Sequence, residues 1–210
     1  ETNIRFCNIP KQRAFPGQHL QPHSSSVRET TVILETQRLI LRPFRTDDVE
    51  AVAAYSLRPE FTRFIPLPEQ TWQDAAGFVA GVVAEGQPNT SGDWFFAIQL
   101  AESPDLIGTI RIGIREPAHH QGDVGYALNP DFWGQGLMTE ALRRILSFGF
   151  EDLNLERIWA TADMENRASW RVMERAGMTR EGILRHHRLL RGEMRDSVLY
   201  ASIRQAEKIL

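Results

Sequence analysis

The chain has 210 residues, room for one medium domain with an extension, and its 42% hydrophobic and 24% charged residues are those of an ordinary globular protein. A formal charge of -3 gives no electrostatic case for bulk nucleic-acid binding, and no apolar run reaches the roughly 18 residues that a membrane span needs. Cys7 is the only cysteine, which excludes an internal disulfide and a Cys-rich zinc site. No basic leader with an apolar core is visible, so a cytoplasmic protein is expected.

Residues 1–33 carry Pro, Gly, Gln and Ser without helical or strand periodicity, and read as an N-terminal extension, flexible or partly a tag. An arm docking on a partner subunit through Phe6, Phe15 and Leu20 is the alternative. The ordered domain is expected over 34–210. It opens with "VILETQRLILRPF", read as one strand because Leu39 and Leu41 alternate with Ile40 and Arg42. Thr46 is expected to cap a helix through "VEAVAAYSL" and Thr71 a second through "WQDAAGFVAGVVAEG", stopped by Gly86 and Pro88. "DWFFAIQL", "LIGTIRIGIRE" and "GDVGYAL" read as strands. A long amphipathic helix then runs from about Leu137 to Leu153, with Leu142, Ile145, Leu146 and Phe148 on one face. The strand "RIWATAD" follows, then a helix from near Arg167 closed by Gly177, and two strands joined at Arg191-Gly192. The order βααβββαβαββ predicts a single α/β domain with a mixed sheet and helices on both faces.

One stretch asks for a ligand. In "NPDFWGQGLMTEAL" a strand leads into a helix through Gly134 and Gly136. The first N–H groups of a helix have no internal partner and carry about half a positive charge, so they suit an anion such as a phosphate. A Walker loop fails here, because Leu137 rather than lysine follows Gly136. The dinucleotide fingerprint is also poor, because Thr139 takes its third glycine place. Glycines alone leave a ligand-free turn open.

The glycines have company. Gly125-Tyr126, Trp133-Gly134-x-Gly136, Thr139-Glu140-Ala141, Asn166-x-x-Ser169, Gly177, Glu181-Gly182 and Gly192…Asp196…Tyr200 occur in that order. With "LETQRLILRPF" at the start, the chain from about Leu34 to Arg204 resembles the GCN5-related N-acetyltransferase superfamily, most closely its ribosomal-protein (RimJ/RimL-like) branch. The resemblance implies a mostly antiparallel sheet in which two parallel strands splay apart to admit acetyl-CoA. By resemblance these are the strands through Tyr126, Ala127 and Leu128 and through Ile158 to Ala162. The pyrophosphate is then expected on the backbone of Trp133, Gly134, Gln135, Gly136, Leu137, Met138 and Thr139. Trp133 and Met138 depart from the superfamily's usual residues there, and Trp133 is expected to pack rather than hydrogen-bond. Asn166 and Ser169 fall where the family contacts pantetheine and supplies an acid for the departing thiolate. Met173 stands where many members have a Tyr.

Direct attack on a thioester needs a neutral amine. Asp123 is the first candidate base, with Glu116, His119 and His120 behind it. The base of the RimL-like branch maps onto Arg188, which cannot take a proton. An α-amine with pKa near 8 is roughly one-tenth neutral at pH 7, whereas a lysine is neutral about once in 2,500. A weak base therefore favours an α-amine.

His119-His120 and His186-His187 are adjacent in sequence and would point to opposite faces of a strand, so no metal is expected. Arg180, Arg185, Arg188, Arg191 and Arg195 read as a solvated face balanced by Glu181, Glu193 and Asp196. Contact with an acidic substrate or a coenzyme phosphate is the functional alternative. Trp72, Phe78, Trp94, Phe95 and Phe96 are read as core, with an acceptor-pocket lining as the alternative. The expected activity is acetyl transfer from acetyl-CoA to an amine, a protein N-terminus being favoured over a polyamine, amino acid or antibiotic. A non-catalytic acyl-CoA-binding domain is the alternative. The expected partners are acetyl-CoA and the amine acceptor, without nucleic acid or membrane, in a monomer or homodimer.

Overall fold

The computed structural model describes residues 31–65 and 70–205. All but the last three residues of the proposed extension, Phe6, Phe15 and Leu20 among them, lie outside this range. Where one opening strand was expected, the chain makes a hairpin: β1 (Leu34–Glu35) reverses onto β2 (Leu39–Arg42). Thr36 drives the reversal. Its N–H donates to the Leu39 carbonyl, and its hydroxyl accepts from the Leu39 N–H at 3.0 Å, a local side-chain turn that competes with straight extension.

Three helices follow. Thr46 does not cap the first as expected. Thr46–Asp48 form a 3-10 turn into α1 (Val49–Ser56), and the capping group is the Asp48 carboxylate, which accepts the Arg45 N–H at 2.7 Å. The same buried carboxylate takes the Arg42 guanidinium through two bonds of 2.8 Å. A four-residue α2 (Pro59–Thr62), absent from the sequence expectation, starts on its proline, whose missing N–H costs nothing in a first turn. Thr71 does cap α3 (Trp72–Glu85): its hydroxyl accepts from Asp74 N–H and its own N–H donates back to the Asp74 carboxylate.

The remaining elements are β3 (Asp93–Leu100), β4 (Leu106–Glu116), β5 (Gln121–Leu128), α4 (Leu137–Glu151), β6 (Arg157–Asp163), α5 (Arg167–Arg175), β7 (Thr179–Leu190) and β8 (Glu193–Ile203). The eight strands form one sheet in the order β1-β2-β3-β4-β5-β6-β8-β7, antiparallel except for β5 and β6. Leu137, Ala141, Leu142, Ile145 and Phe148 of α4 bury one face of the sheet against Phe96, Ile110, Ile112 and Ile158. On the other face Val52 and Tyr55 of α1 and Phe78 and Val79 of α3 pack with Phe44, Ala97 and Leu106. Helices thus cover both faces, as predicted. Among the described residues no helix is long and apolar enough to cross a membrane.

The parallel pair positions the site. β5 and β6 are in register only at Gln121–Arg157, Gly122–Ile158 and Asp123–Trp159. Beyond that, β5 stays with β4 as far as Leu128 and β6 stays with β8 as far as Asp163. Each strand follows its antiparallel partner, the slightly stronger pairing, and the two part. The gap begins at Ala160, two residues later than the resemblance implied.

Candidate active site

The parting strands open into a cleft of about 460 Å³. Tyr126, Ala127 and Leu128 line it from β5, Ala160 to Asp163 from β6, and Asn166 and Ser169 from α5. Among the described residues, the backbone edges of Val124–Leu128 and Ala160–Asp163 are not paired to each other, so peptide groups on them are available to an amide-bearing ligand.

At the end of β5 the chain turns through Pro130–Phe132 and the two glycines into α4. Gly134 and Gly136 have φ of +77° and +76°, a region in which an L side chain costs about 1–2 kcal/mol. A Cβ at Gly134 would meet nothing within 4 Å and one at Gly136 only the Arg38 guanidinium at 3.8 Å, so the space before the loop is open. The Leu137, Met138 and Thr139 N–H groups begin the helix without intrahelical partners, the first such bond being Glu140 N–H to the Gly136 carbonyl. Trp133 does form a hydrogen bond, contrary to expectation: Nε1 donates to the Leu128 carbonyl at 2.8 Å, while the ring remains about half exposed.

The loop is braced from β1–β2. Glu140 accepts the Thr36 hydroxyl at 2.6 Å, the Arg38 N–H at 2.9 Å and Arg38 Nε at 2.7 Å, while Arg38 Nη1 donates to the Gln135 carbonyl at 3.1 Å. Burial opposes the Glu140 charge, but these bonds outweigh it and hold the carboxyl below its usual range. "LETQRL" and "GQGLMTE", about a hundred residues apart in the chain, therefore touch. Arg143, Arg144 and Arg175 rim a second depression beside Gly136, and Arg171 and Arg175 line the cleft itself, so the glycine loop is flanked by guanidinium groups.

Asn166 caps α5, its Oδ1 accepting the Ser169 N–H at 3.2 Å. Ser169 Oγ shares a hydrogen bond of 2.9 Å with the Tyr126 hydroxyl, which also lies 3.1 Å from the Ser169 carbonyl. Burial pushes the Tyr126 phenol well above its ordinary pKa, against the Ser169 bond, so this hydroxyl keeps its proton at any working pH. Met173 is buried in the core and offers the cleft nothing.

Asp123 lines the cleft but is not free. Arg111 grips both its oxygens at 2.9 and 2.6 Å, and Arg115 Nε adds a contact of 2.6 Å. Both carboxylate oxygens are thus taken up by guanidinium groups in the cleft wall, and Asp123 is placed as their counter-ion. Glu116, His119 and His120 are outside the cleft lining, at the far end of β5. Seven steps of about 3.3 Å separate Gln121 from Leu128, so these residues lie about 20 Å from the open end. Arg188 does reach the cleft, its Nη2 donating to Thr161 Oγ1 at 2.7 Å. Of the aromatics proposed for an acceptor pocket, Phe95 lines the cleft, Phe78 and Phe96 are core, Trp94 packs on Phe148, and Trp72 is exposed. The Tyr126 side chain and the wall made by Tyr55, Ser56, Phe61 and Phe64 were not expected from the sequence. Tyr126 carried a signal, a hydroxyl near the open end of β5 just before the glycine loop, whereas the wall depends on how α1 and α2 fold over the sheet.

A splayed parallel pair, a glycine loop entering a helix and one cleft joining them define the class, an acyl-transfer fold. The chain belongs to the GNAT acetyltransferase family, whose model, described as an acetyltransferase (GNAT) domain, matches residues 38–179. It is similar to the uncharacterized N-acetyltransferase YoaA of Bacillus subtilis (strain 168), at 31% identity over 176 residues, 83% of this chain and 98% of the relative. It is also similar to the ribosomal protein uS5-alanine N-acetyltransferase of Escherichia coli (strain K12), at 26% identity over 175 residues, 81% and 90% of the two chains. A GNAT-family acetyltransferase structure from Bacillus anthracis matches with a TM-score of 0.73 at 30% identity, covering 82% of this chain and 98% of that one. The chain is thus an N-acetyltransferase, with ribosomal-protein acetyltransferases among its relatives.

Proposed function

We propose that the chain transfers the acetyl group of acetyl-CoA to an α-amine by direct attack of the nitrogen on the thioester. The observation that carries this is the continuity of one cleft. Open strand edges for the pantetheine amides run from the Tyr126–Ser169 pair to an anion cradle at Gly134–Thr139 with arginines beside it. In the transfer a C–N bond forms and the C–S bond breaks, while one proton leaves nitrogen and one reaches sulfur. Ser169 is the donor to sulfur, and Tyr126, held protonated, orients and backs its hydroxyl. N–H groups on the open β5 edge are the donors available to the carbonyl oxygen as it gains charge.

Asp123 acts in this reading as the counter-ion that fixes Arg111 in the cleft wall. The nitrogen proton leaves through water. That suits an α-amine, already about one-tenth neutral at pH 7, and not a lysine. The name of the uS5-alanine relative supports the same choice. The engagement of Asp123 also favours a rival reading, a domain that binds acyl-CoA without turnover. The test is calorimetric titration with CoA together with a mass-spectrometric screen for acetylated peptide N-termini, amino acids, polyamines and aminoglycosides. CoA binding with no acetylated product from any amine would sink the enzymatic reading, and absence of CoA binding would sink both.

A further inference from the structure

We infer that the amine acceptor carries a carboxylate close to the nitrogen that is acetylated, and that Arg188 binds it. The inference rests on the acetyl-transfer reading and names the substrate class of the same site. Asp123 is held by Arg111 and Arg115, and Asp163 by Arg195 at 3.2 Å. Glu60 stands in solvent with Arg58 3.6 Å away. Arg171 and Arg175 lie on α5 with the phosphate end of the cleft. Arg188 differs from all of these. It is half-buried in the cleft wall, makes no ion pair among the described residues, and spends one donor on Thr161. A guanidinium has five N–H donors in a planar fork that fits a carboxylate, so most of the fork is unused.

A second group in the same wall also lacks a partner. Ser56, at the end of α1, is 3% exposed, and its hydroxyl makes no hydrogen bond among the described residues. Buried polar groups without partners are rare and costly, and this one lines the cleft with Tyr55, Phe61 and Phe64. The two walls are tied together: Arg191, in the β7–β8 turn, donates to the carbonyls of Thr62 and Arg63 at 3.0 Å each, which anchors the Arg188 hairpin to the end of α2. Arg188 and Ser56 therefore belong to one built surface. It offers an unmatched cation, a polar group wanting a partner and aromatic sides. Among the described residues of this wall, the one carboxylate a polyamine finds outside the Asp123 and Asp163 ion pairs is exposed Glu60. An amine with a neighbouring carboxylate finds its counter-ion ready.

The carboxylate can be the α-carboxylate of a free amino acid or an acidic side chain in the second position of a peptide, and matched acceptors separate the two. Initial rates would be measured for amino acids against their amides, for dipeptide amides with Asp against Asn in second place, and for spermidine. The enzymes are wild type, Arg188→Gln, Arg188→Lys and Arg188→Glu, each with CoA affinity from calorimetry. In wild type the carboxylate member of one set leads in kcat/KM by about tenfold to hundredfold, as a charged hydrogen bond allows. An advantage confined to the first set assigns the α-carboxylate, and one confined to the second assigns the side chain. Arg188→Gln abolishes the advantage mainly through KM, Arg188→Lys keeps part of it, and Arg188→Glu turns preference toward spermidine, with CoA affinity within twofold throughout. Equal rates for acids and amides in wild type, or an advantage that survives in Arg188→Gln, overturns the inference and leaves acetyl transfer standing. CoA binding with no transfer to any amine removes both.

Discussion

Placing the pyrophosphate on the Gly134–Thr139 loop makes Gly136 the position where charge matters most. Replacing it with Glu or with Lys imposes the same backbone strain, because each side chain must sit at φ +76°, at a cost of about 1–2 kcal/mol. For a domain of this size that is about 2–8 °C in Tm, and the open space at the position adds no clash beyond a movable Arg38 tip at 3.8 Å. The two variants should melt within a few degrees of each other, Glu the higher because it faces the helix N-terminus and Arg38. Their CoA affinities should not match. A carboxylate about 5 Å from two pyrophosphate charges is repelled by about 2 kcal/mol in water-like surroundings and by about 7 kcal/mol at an effective dielectric of 20. Gly136→Glu should therefore weaken CoA at least about twentyfold, while Gly136→Lys, attracted by the same charges, keeps most of the affinity. Isothermal titration with CoA, beside thermal melts of the unliganded proteins, reads both quantities. Equal losses in the two variants would trace the effect to backbone strain, and unchanged binding in Gly136→Glu would remove the pyrophosphate from this loop.

The remaining predictions test the hydroxyl pair, the buried ion pairs and the tyrosines. Ser169→Ala should lower kcat by about 100-fold, within the range for a positioned acid, and Tyr126→Phe by less, both with CoA affinity within twofold. A wild-type kcat in Ser169→Ala would move the acid elsewhere. Asp123→Asn leaves Arg111 and Arg115 sharing Asp93, one buried charge short, and should cost about 3 kcal/mol, the low end for a broken buried pair, or about 6–12 °C in Tm, without moving the acid limb of the pH–rate profile. Disappearance of that limb at unchanged Tm would restore Asp123 as the base. Burial raises the phenols of Tyr55, Tyr126 and Tyr200, with Thr109 and Ser169 bonds opposing it in the first two and Glu174 bonding adding to it in the third, where the value is about 12. Unfolded tyrosines release their protons near pH 10 while the folded ones hold them. Stability is therefore complete below pH 10 and falls as pH rises toward 12, by up to about 1.4 kcal/mol per pH unit for each tyrosine. A urea midpoint that stays flat from pH 9 to 11.5 would contradict this.

The parts of the fold that were legible in the sequence are those governed by local periodicity. The apolar stripe of α4 and the apolar runs of β3 to β5 appear where the residue pattern puts them, and the Thr71 cap announces α3. The β1–β2 hairpin was not legible, because Leu34 and Leu39 continue an apolar pattern across a turn that only the Thr36 hydroxyl reveals. The burial of Asp48 against Arg42 was not legible either, because it depends on a partner six residues back. In the site the glycine loop was legible because helix ends have one electrostatic character wherever they occur. The state of Asp123 was not, since Arg111 and Arg115 reach it only through the β4–β5 register.

Arg188 shows how a residue wrong for one role can fit another. An arginine cannot relieve an ammonium of its proton, so in the base's place it looks like a loss. Its charge bears on the same proton by another route. A carboxylate beside an amine stabilises the ammonium and raises its pKa, and pairing that carboxylate with a guanidinium withdraws the stabilisation. Each unit by which the amine's pKa falls raises its neutral fraction about tenfold, worth about 1.4 kcal/mol in the barrier. At pH 7 an α-amine brought back to pKa near 8 is roughly one-tenth neutral, so the remaining handicap is about one factor of ten. The fork that selects the acceptor would in this way also prepare its nitrogen, and the site needs no carboxylate base for an acceptor that brings its own.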